Sequence, residues 1–350
     1  MGLYFLRTYG ASRVSDHPTP SPFVNPDLTD EGDQPDPSVI LDYEIDRKSW
    51  KARSVLGQNG LRNWDYFPRR FVDGKDSGRV VSWIKSPTGK KIPVRLSQIG
   101  AVVMRMENGQ LRRESYLVEK VVAFITELFN WEEIEAYAIG LNKYGFRMLS
   151  CQPPMGHKIY DAGTLRQAVE DCSRNEMLQL ERLVLAKYFN VPTIVDGRLA
   201  QKAGAFNAKN SPVAGIVKTH HLNYLHESGY ELYQNLKPGE RTPAFQLATG
   251  YGPEVVSWFL RLTGNQRGEM PGWGVVRVEI PAYYFEHEQG GNWSYLDKLS
   301  EAIWLYRCQD VTYSRSAVSL APIQRAEESL GACFLANDAI EARFYHLNEI

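Results

Sequence analysis

The sequence predicts an α/β protein with one central mixed sheet flanked by helices, in a single large domain, and three observations predict it. The chain has 350 residues, 43% hydrophobic and 23% charged, so it can bury a sizeable core and is too apolar for wholesale disorder. Short apolar runs rich in β-branched residues alternate with longer stretches at helical spacing. Their order is strands, helix, helix, three strands and then helix, which fits interleaved strands and helices better than a bundle or a sandwich.

Residues 15–38 are rich in Pro, Asp, Ser and Thr and hold few large apolar side chains. Such a segment buries too little surface to offset its ordering entropy, so residues 1–45 are expected to form an arm and 46–350 the domain. Residues 67–106 read as an antiparallel meander: an apolar run at 79–84, turn chemistry at Ser86-Pro87-Thr88-Gly89, and a second apolar run at 99–104. Residues 116–129 predict a helix, with Val118, Val121, Val122, Ile125 and Leu128 on one broad face. The longest helical stretch is 166–188. Strands are expected over 191–195, 213–217 and 275–280, the last stopped by Pro281. Residues 294–306 and 322–334 predict helices. No internal repeat is present.

A net charge of −1 excludes a polycation, so any nucleic-acid site has to be a local patch. The basic pairs Arg69-Arg70, Lys90-Lys91 and Arg112-Arg113 are each more simply read as solvated surface. Four scattered cysteines without a CxxC pair give neither a zinc module nor a disulfide framework, which suits a reducing compartment. The start of the chain is too soon polar for a signal peptide, and no apolar run reaches membrane-spanning length, so a cytoplasmic location is expected. There is no GxxxxGK[ST], GxGxxG or GxSxG, which argues against a P-loop NTPase, a Rossmann dehydrogenase or an α/β-hydrolase. His220, His221 and His226 lack zinc-ligand spacing and read as surface or core residues.

Two Asp-Gly pairs follow apolar strands, at Phe71-Val72-Asp73-Gly74 and Ile194-Val195-Asp196-Gly197. An Asp at a strand end presents its carboxylate at the sheet edge, and the Gly lets the backbone turn past it. Two such carboxylates on neighbouring strands make a hard oxygen site for Mg²⁺ or Mn²⁺, although Asp-Gly is also a common turn dipeptide. Glu181 falls near the centre of the apolar face of the 166–188 helix, with Glu176 toward its edge. A buried carboxylate needs a partner, and a metal ion or an internal cation such as Arg182 serves equally well. Lys218 closes the 213–217 strand, where it could neutralise a phosphate, although strand-end lysines are usually plain surface groups.

In order and spacing, these pieces resemble the NurA family of DNA-end-processing nucleases over about residues 67–335. The resemblance also takes in Asp196-Gly197-Arg198-Leu199, Gly215-Ile216-Val217-Lys218, Arg277-Val278-Glu279-Ile280-Pro281 and Pro322-Ile323-Gln324-Arg325-Ala326-Glu327. It implies a ribonuclease-H-like core related to the Argonaute nuclease domain, a homodimer, and Mn²⁺ or Mg²⁺ dependence. It further implies 5′-to-3′ exonuclease and single-strand endonuclease activity on DNA, working with a HerA-type hexameric translocase in DNA repair, end resection or anti-phage defence. Asp73, Glu181 and Asp196 would then hold two ions about 4 Å apart, with Lys218 stabilising charge. The family's C-terminal motif carries His after its Ala and a Tyr before its Pro. Here Glu327 stands in the histidine's place, and Tyr313 is the nearest upstream tyrosine. Glu327 is therefore a fourth candidate ligand, on the border of an apolar helix face. The same departure also suits a catalytically inactive, NurA-like adaptor that dimerises and regulates the translocase.

Overall fold

The computed structural model describes residues 2–14, 40–42, 44–153, 161–219, 225–248, 252–264, 272–309 and 314–350. Three long strands lead the domain: β1 (Arg70–Lys85), β2 (Lys91–Glu107) and β3 (Gln110–Ile125). Helix α1 (Trp131–Asn142), strand β4 (Arg147–Cys151) and the long helix α2 (Ala162–Leu185) follow. Then come β5 (Thr193–Asp196), β6 (Val213–Val217), α3 (Glu227–Asn235), β7 (Phe245–Leu247), β8 (Val255–Arg261) and β9 (Val275–Pro281). Helices α4 (Trp293–Leu305), α5 (Ala321–Gly331) and α6 (Asn337–Asn348) complete the order.

Inward from the short edge strand Ile40–Asp42, the sheet order is β7, β8, β9, β6, β5, β1, β2, β3, β4. The β1–β2–β3 meander is antiparallel, whereas β5 and β6 run parallel to β1. Three antiparallel strands, and two strands parallel to the first on its other side, make a ribonuclease-H-like arrangement, with α1, β4 and α2 between the two groups. Strands β7, β8 and β9 extend it antiparallel beyond β6. Alternation along each strand feeds two cores. On one face Val72, Ile99 and Val103 pack under α2 side chains Leu165, Val169, Leu180 and Val184. On the other Phe71, Val102 and Met104 meet Leu296, Leu299 and Ile303 of α4 and Ile323, Ala326 and Leu330 of α5.

Local chemistry starts the helices. Asp161 caps α2 by accepting from Gly163 N–H at 3.0 Å and Thr164 N–H at 2.9 Å. Asn130 and Asn292 do the same for α1 and α4. Pro322 occupies the first turn of α5, where its missing N–H is harmless.

The helix expected over 116–129 is instead strand β3 as far as Ile125. The valines share a helical face on a wheel, but they are β-branched and belong to the second arm of a tight hairpin. Glu107 pairs with Gln110 across the two-residue loop Asn108-Gly109, whose φ angles of 50° and 75° are those of a type I′ turn. Residues 121–125 are buried in succession because the sheet is covered on both faces there. Smaller differences lie at ends: α2 runs 162–185 where 166–188 was expected, α5 stops at Gly331, and Pro281 is the last residue of β9.

The segment expected to be an arm contributes packed structure at both ends. Phe5 and Leu6 are buried, with the Phe5 ring stacked 5.1 Å from Tyr137, and Ile40–Asp42 pairs with β7. Residues 15–39, which hold the expected linker, lie outside the described residues. Glu44 ties its neighbourhood to the domain through fully buried Arg241, whose Nη1 lies 2.7 Å from the Glu44 carboxylate and whose Nε donates to Asp297 at 2.7 Å. Among the described residues no helix is long and apolar enough to cross a membrane.

Candidate active site

Asp73 lies inside β1, not at its end. Pairing with β5 stops at Val72–Val195, and the same edge is paired again at Ser82–Trp83 by Ser12 and Arg13, so between them, from Asp73, it opens into a cleft. The glycine beside it is therefore not a turn. A Cβ on Gly74 would come within 2.9 Å of the Glu181 carboxylate, so the missing side chain makes room for α2's acid against the strand. Alternation along β1 directs Asp73 toward the opposite face, which carries α5.

Asp196 ends β5, and here the glycine does turn the chain. Gly197 has φ of +85°, and its N–H donates to Ile216 O at 2.9 Å. The following loop is held from three sides. Leu199 N–H donates to the buried Glu279 on β9, Arg182 Nε donates to Gln201 O at 2.8 Å, and Lys202 donates to Glu181. Glu279 is itself near Arg277, whose Nη2 lies at 3.4 Å. Gly215 is needed beneath this loop, since a Cβ there would lie 2.8 Å from Gly197 O.

All five expected site residues, Asp73, Glu181, Asp196, Lys218 and Glu327, line this one cleft. Lys218 directs Nζ onto Asp196 Oδ2 at 2.8 Å. Glu181 is buried and bonded to Lys202, which is equally buried: the internal cation is Lys202, while Arg182 turns to the backbone of Gln201. Glu327 is half-exposed, with Lys75 Nζ 3.7 Å away. Asp73, only 6% exposed, accepts from its neighbour Gly74 N–H at 2.9 Å and has no ion-pair partner among the described residues. Farther out, Arg95 lies 3.3 Å from Asp76 and 3.4 Å from Glu170, with Arg174 beside them, so that part of the wall is charge-balanced.

Burial pushes the Asp73 carboxyl well above the usual carboxylate range, and the Asp196, Glu181 and Glu327 charges add to that rise against the opposing pull of Lys218. Burial also raises Glu181, partly offset by Lys202. Burial alone would lower Lys218, but the Asp196 and Asp73 carboxylates outweigh it and hold the ammonium above its ordinary value. These directions describe a low-dielectric acidic cluster neutralised by lysines. Among the described residues no three His, Cys, Asp or Glu side chains are arranged to hold a metal ion, since Glu181 and Asp196 are each turned onto an ammonium.

Lys202, Glu279, Lys75 and Arg95 were not anticipated. Lys202 sits in Gly197-Arg198-Leu199-Ala200-Gln201-Lys202 with no motif around it, and its burial arises only when the loop folds back onto α2. Glu279, inside the buried strand 275–280, did carry a signal: a charge in an apolar run needs a partner. His226 is a helix cap, its Nδ1 accepting from Gly229 N–H at 2.9 Å, while His220, His221 and Tyr313 lie outside the described residues. The four cysteines form no disulfide.

Fold and cleft together define a ribonuclease-H-like α/β domain with an acidic, lysine-braced pocket at the opening of its first strand. No family model and no curated protein matches the chain. Among solved structures it is similar to the NurA nuclease from Sulfolobus solfataricus, with 11% identity, coverage of 83% of this chain and 84% of that one, and a TM-score of 0.36. Similarity at that level leaves the chemistry to be argued from the cleft itself.

Proposed function

We propose that this chain is a metal-dependent DNA nuclease that hydrolyses phosphodiester bonds in the cleft at Asp73. The observation that carries this reading is a buried carboxylate that makes no ion pair of its own and shares the field of Lys218 with Asp196, set beside three more carboxylates at the open edge of β1. An unpaired buried anion is costly, and a divalent cation is the partner that relieves it.

Asp73 and Asp196 would hold the ion, with Glu327 as a further oxygen donor from α5, once the Asp196 carboxylate turns from Lys218 toward it. A bound Mg²⁺ or Mn²⁺ would polarise the phosphate and supply a water ionised near neutral pH. Lys218 holds its charge beside Asp196, where it can offset the negative charge that grows on the phosphate. Lys202 holds Glu181 against Gly74 and offsets part of the burial that favours its neutral form. β1 and α2 wall the cleft on the side of Asp73 and Glu181, both of which are buried.

The test is cleavage of an end-labelled oligonucleotide by the purified chain, with and without Mn²⁺ or Mg²⁺, alongside Asp73→Asn. Metal-dependent cleavage lost in D73N supports the proposal; equal cleavage in D73N sinks it. A second reading, an inactive adaptor that keeps the fold for dimerisation and translocase control, is favoured by one feature: Glu181 is already occupied by Lys202. It predicts no cleavage of single-stranded or duplex DNA by the wild-type chain at saturating Mn²⁺, with binding to a HerA-like ATPase retained.

A further inference from the structure

Cys151 ends β4, which pairs with β3, and Cys172 lies in the first half of α2. Residues 147, 149 and 151 share one face of β4, and residues 172 and 176 are one turn apart on α2. Arg147 Nη2 lies 2.6 Å from Glu176 Oε1, so helix and strand lie side by side with that face turned to the helix. The same packing brings the two cysteines together. Cys151 is 2% exposed, and Cys172 packs against the core that holds it while staying partly open to solvent. The Cys151 thiol has two acceptors in reach, Leu149 O at 3.7 Å and the Cys172 sulfur. Both side chains are reduced thiols.

We propose that Cys151 and Cys172 form a reversible disulfide when the protein meets hydrogen peroxide, with Cys172 oxidised first and Cys151 closing the bond. An oxidant attacks the accessible thiol that ionises more readily, and Cys172 is the one open to solvent. The hydrogen bond from Cys151 holds the Cys172 thiol below its ordinary range against the rise that burial brings. Of the charges nearby, Glu176 and Asp171 raise it and Arg147 lowers it. That hydrogen bond and burial push the Cys151 thiol up, so it keeps its proton until Cys172 has reacted.

In the first step the Cys172 sulfur bonds to one peroxide oxygen, the O–O bond breaks, and the other oxygen leaves as hydroxide and takes up a proton to become water. The sulfur is oxidised to a sulfenic acid and the peroxide is reduced. The Cys151 sulfur then bonds to the Cys172 sulfur, the S–O bond breaks, and the departing hydroxyl takes the Cys151 proton as a second water. The new bond ties α2, which walls the cleft with Glu170 and Glu181, to β4. A dithiol reductant reopens it by thiol–disulfide exchange.

The experiment treats the full-length chain with hydrogen peroxide, alkylates the remaining thiols and maps the products by mass spectrometry. The expected outcome is a fall from four free thiols to two, a peptide linking 151 to 172, and return to four with dithiothreitol. Cys151→Ser should stop at a Cys172 sulfenic acid that dimedone traps, whereas Cys172→Ser should leave Cys151 a thiol over the same time. Circular dichroism shows that both variants are folded. Wild type that keeps all four thiols, or links another pair, overturns the site without recourse to any variant. A dimedone adduct on Cys151 in C172S that forms as fast as the one on Cys172 in C151S overturns the order of attack. A link that dithiothreitol does not reopen overturns its reversibility.

Discussion

At the scale of single residues, the cleft is governed by the difference between an acid that has a lysine and one that does not. Asp73 has none, and its folded-state pKa is raised by burial and by neighbouring carboxylates. Its protonated form thus favours the fold at pH below the unfolded value, and that contribution is lost as the pH rises through the folded one. Asp73→Asn should therefore raise the melting temperature of the metal-free protein at pH 7–8 by roughly 2–4 °C. The gain should shrink as the pH falls through the raised folded-state value, where wild-type Asp73 itself becomes neutral. The same substitution should reduce cleavage by at least about 100-fold, as loss of a metal ligand does. A D73N protein no more stable than wild type at pH 8 would show that the carboxylate is not under repulsive load. Glu327 belongs to the same scale. Glu327→Gln should raise the Mg²⁺ concentration needed for half-maximal cleavage by about tenfold. Glu328→Gln, on the exposed side where Glu328 pairs with Arg325, should not. Matching titrations for the two variants would remove Glu327 from the ion's surroundings. Asp73, Asp196, Lys218 and Glu181 were legible because each breaks a local pattern: a charge at the limit of an apolar run or amid an apolar helix face. Lys202 breaks no pattern. Only the fold-back of its loop gives it meaning.

At the scale of elements, the two Asp-Gly pairs look alike in sequence and do different work. Gly197 is a left-handed turn, whereas Gly74 is strand with a carboxylate pressed against it. Gly74→Ala should cost about 1–3 kcal/mol in urea unfolding, as overpacking does. It should also lower cleavage, because Glu181 has to move. A stability within error of wild type would mean that α2 yields freely at this point. The β2–β3 hairpin makes the complementary case. Its Asn108-Gly109 turn was readable in the sequence, yet the heptad-like spacing of the following valines drew residues 116–129 toward a helix. Periodicity alone cannot separate a strand buried on both faces from a helix over a short apolar run, and the dipeptide before it decides the matter. Gly109→Ala should destabilise the fold by roughly 1–2 kcal/mol, since its φ of 75° is strained for an L-residue, and should leave cleavage unchanged. Equal stability would place the turn's contribution elsewhere.

At the scale of the whole molecule, the chain has a net charge of −1 and a cleft whose own cations are spent on its own acids. Sequence-independent affinity for duplex DNA comes from phosphate neutralisation and counterion release, and the cleft has few cations to spare for it. Fold class was legible at this scale because the strand and helix runs keep their order. The pairing of Ile40–Asp42 with β7 and the buried Glu44–Arg241–Asp297 group were not, since they join segments far apart in the sequence. If the proposed nuclease holds duplex DNA this weakly, its substrate has to be delivered, and the proposed arrangement is a homodimer served by a HerA-type hexameric translocase. The expected outcome is that the chain alone binds duplex DNA only weakly, with a shallow dependence on salt. Adding the ring ATPase with ATP should increase cleavage at duplex ends by about tenfold or more, the order of gain that raised local substrate concentration gives. Single-stranded oligonucleotides, which present their phosphates without strand separation, should gain much less. A chain that stays monomeric and cleaves duplex ends equally well with and without the translocase would show that it carries its own means of holding DNA. That grip would then have to come from a surface other than the cleft at Asp73.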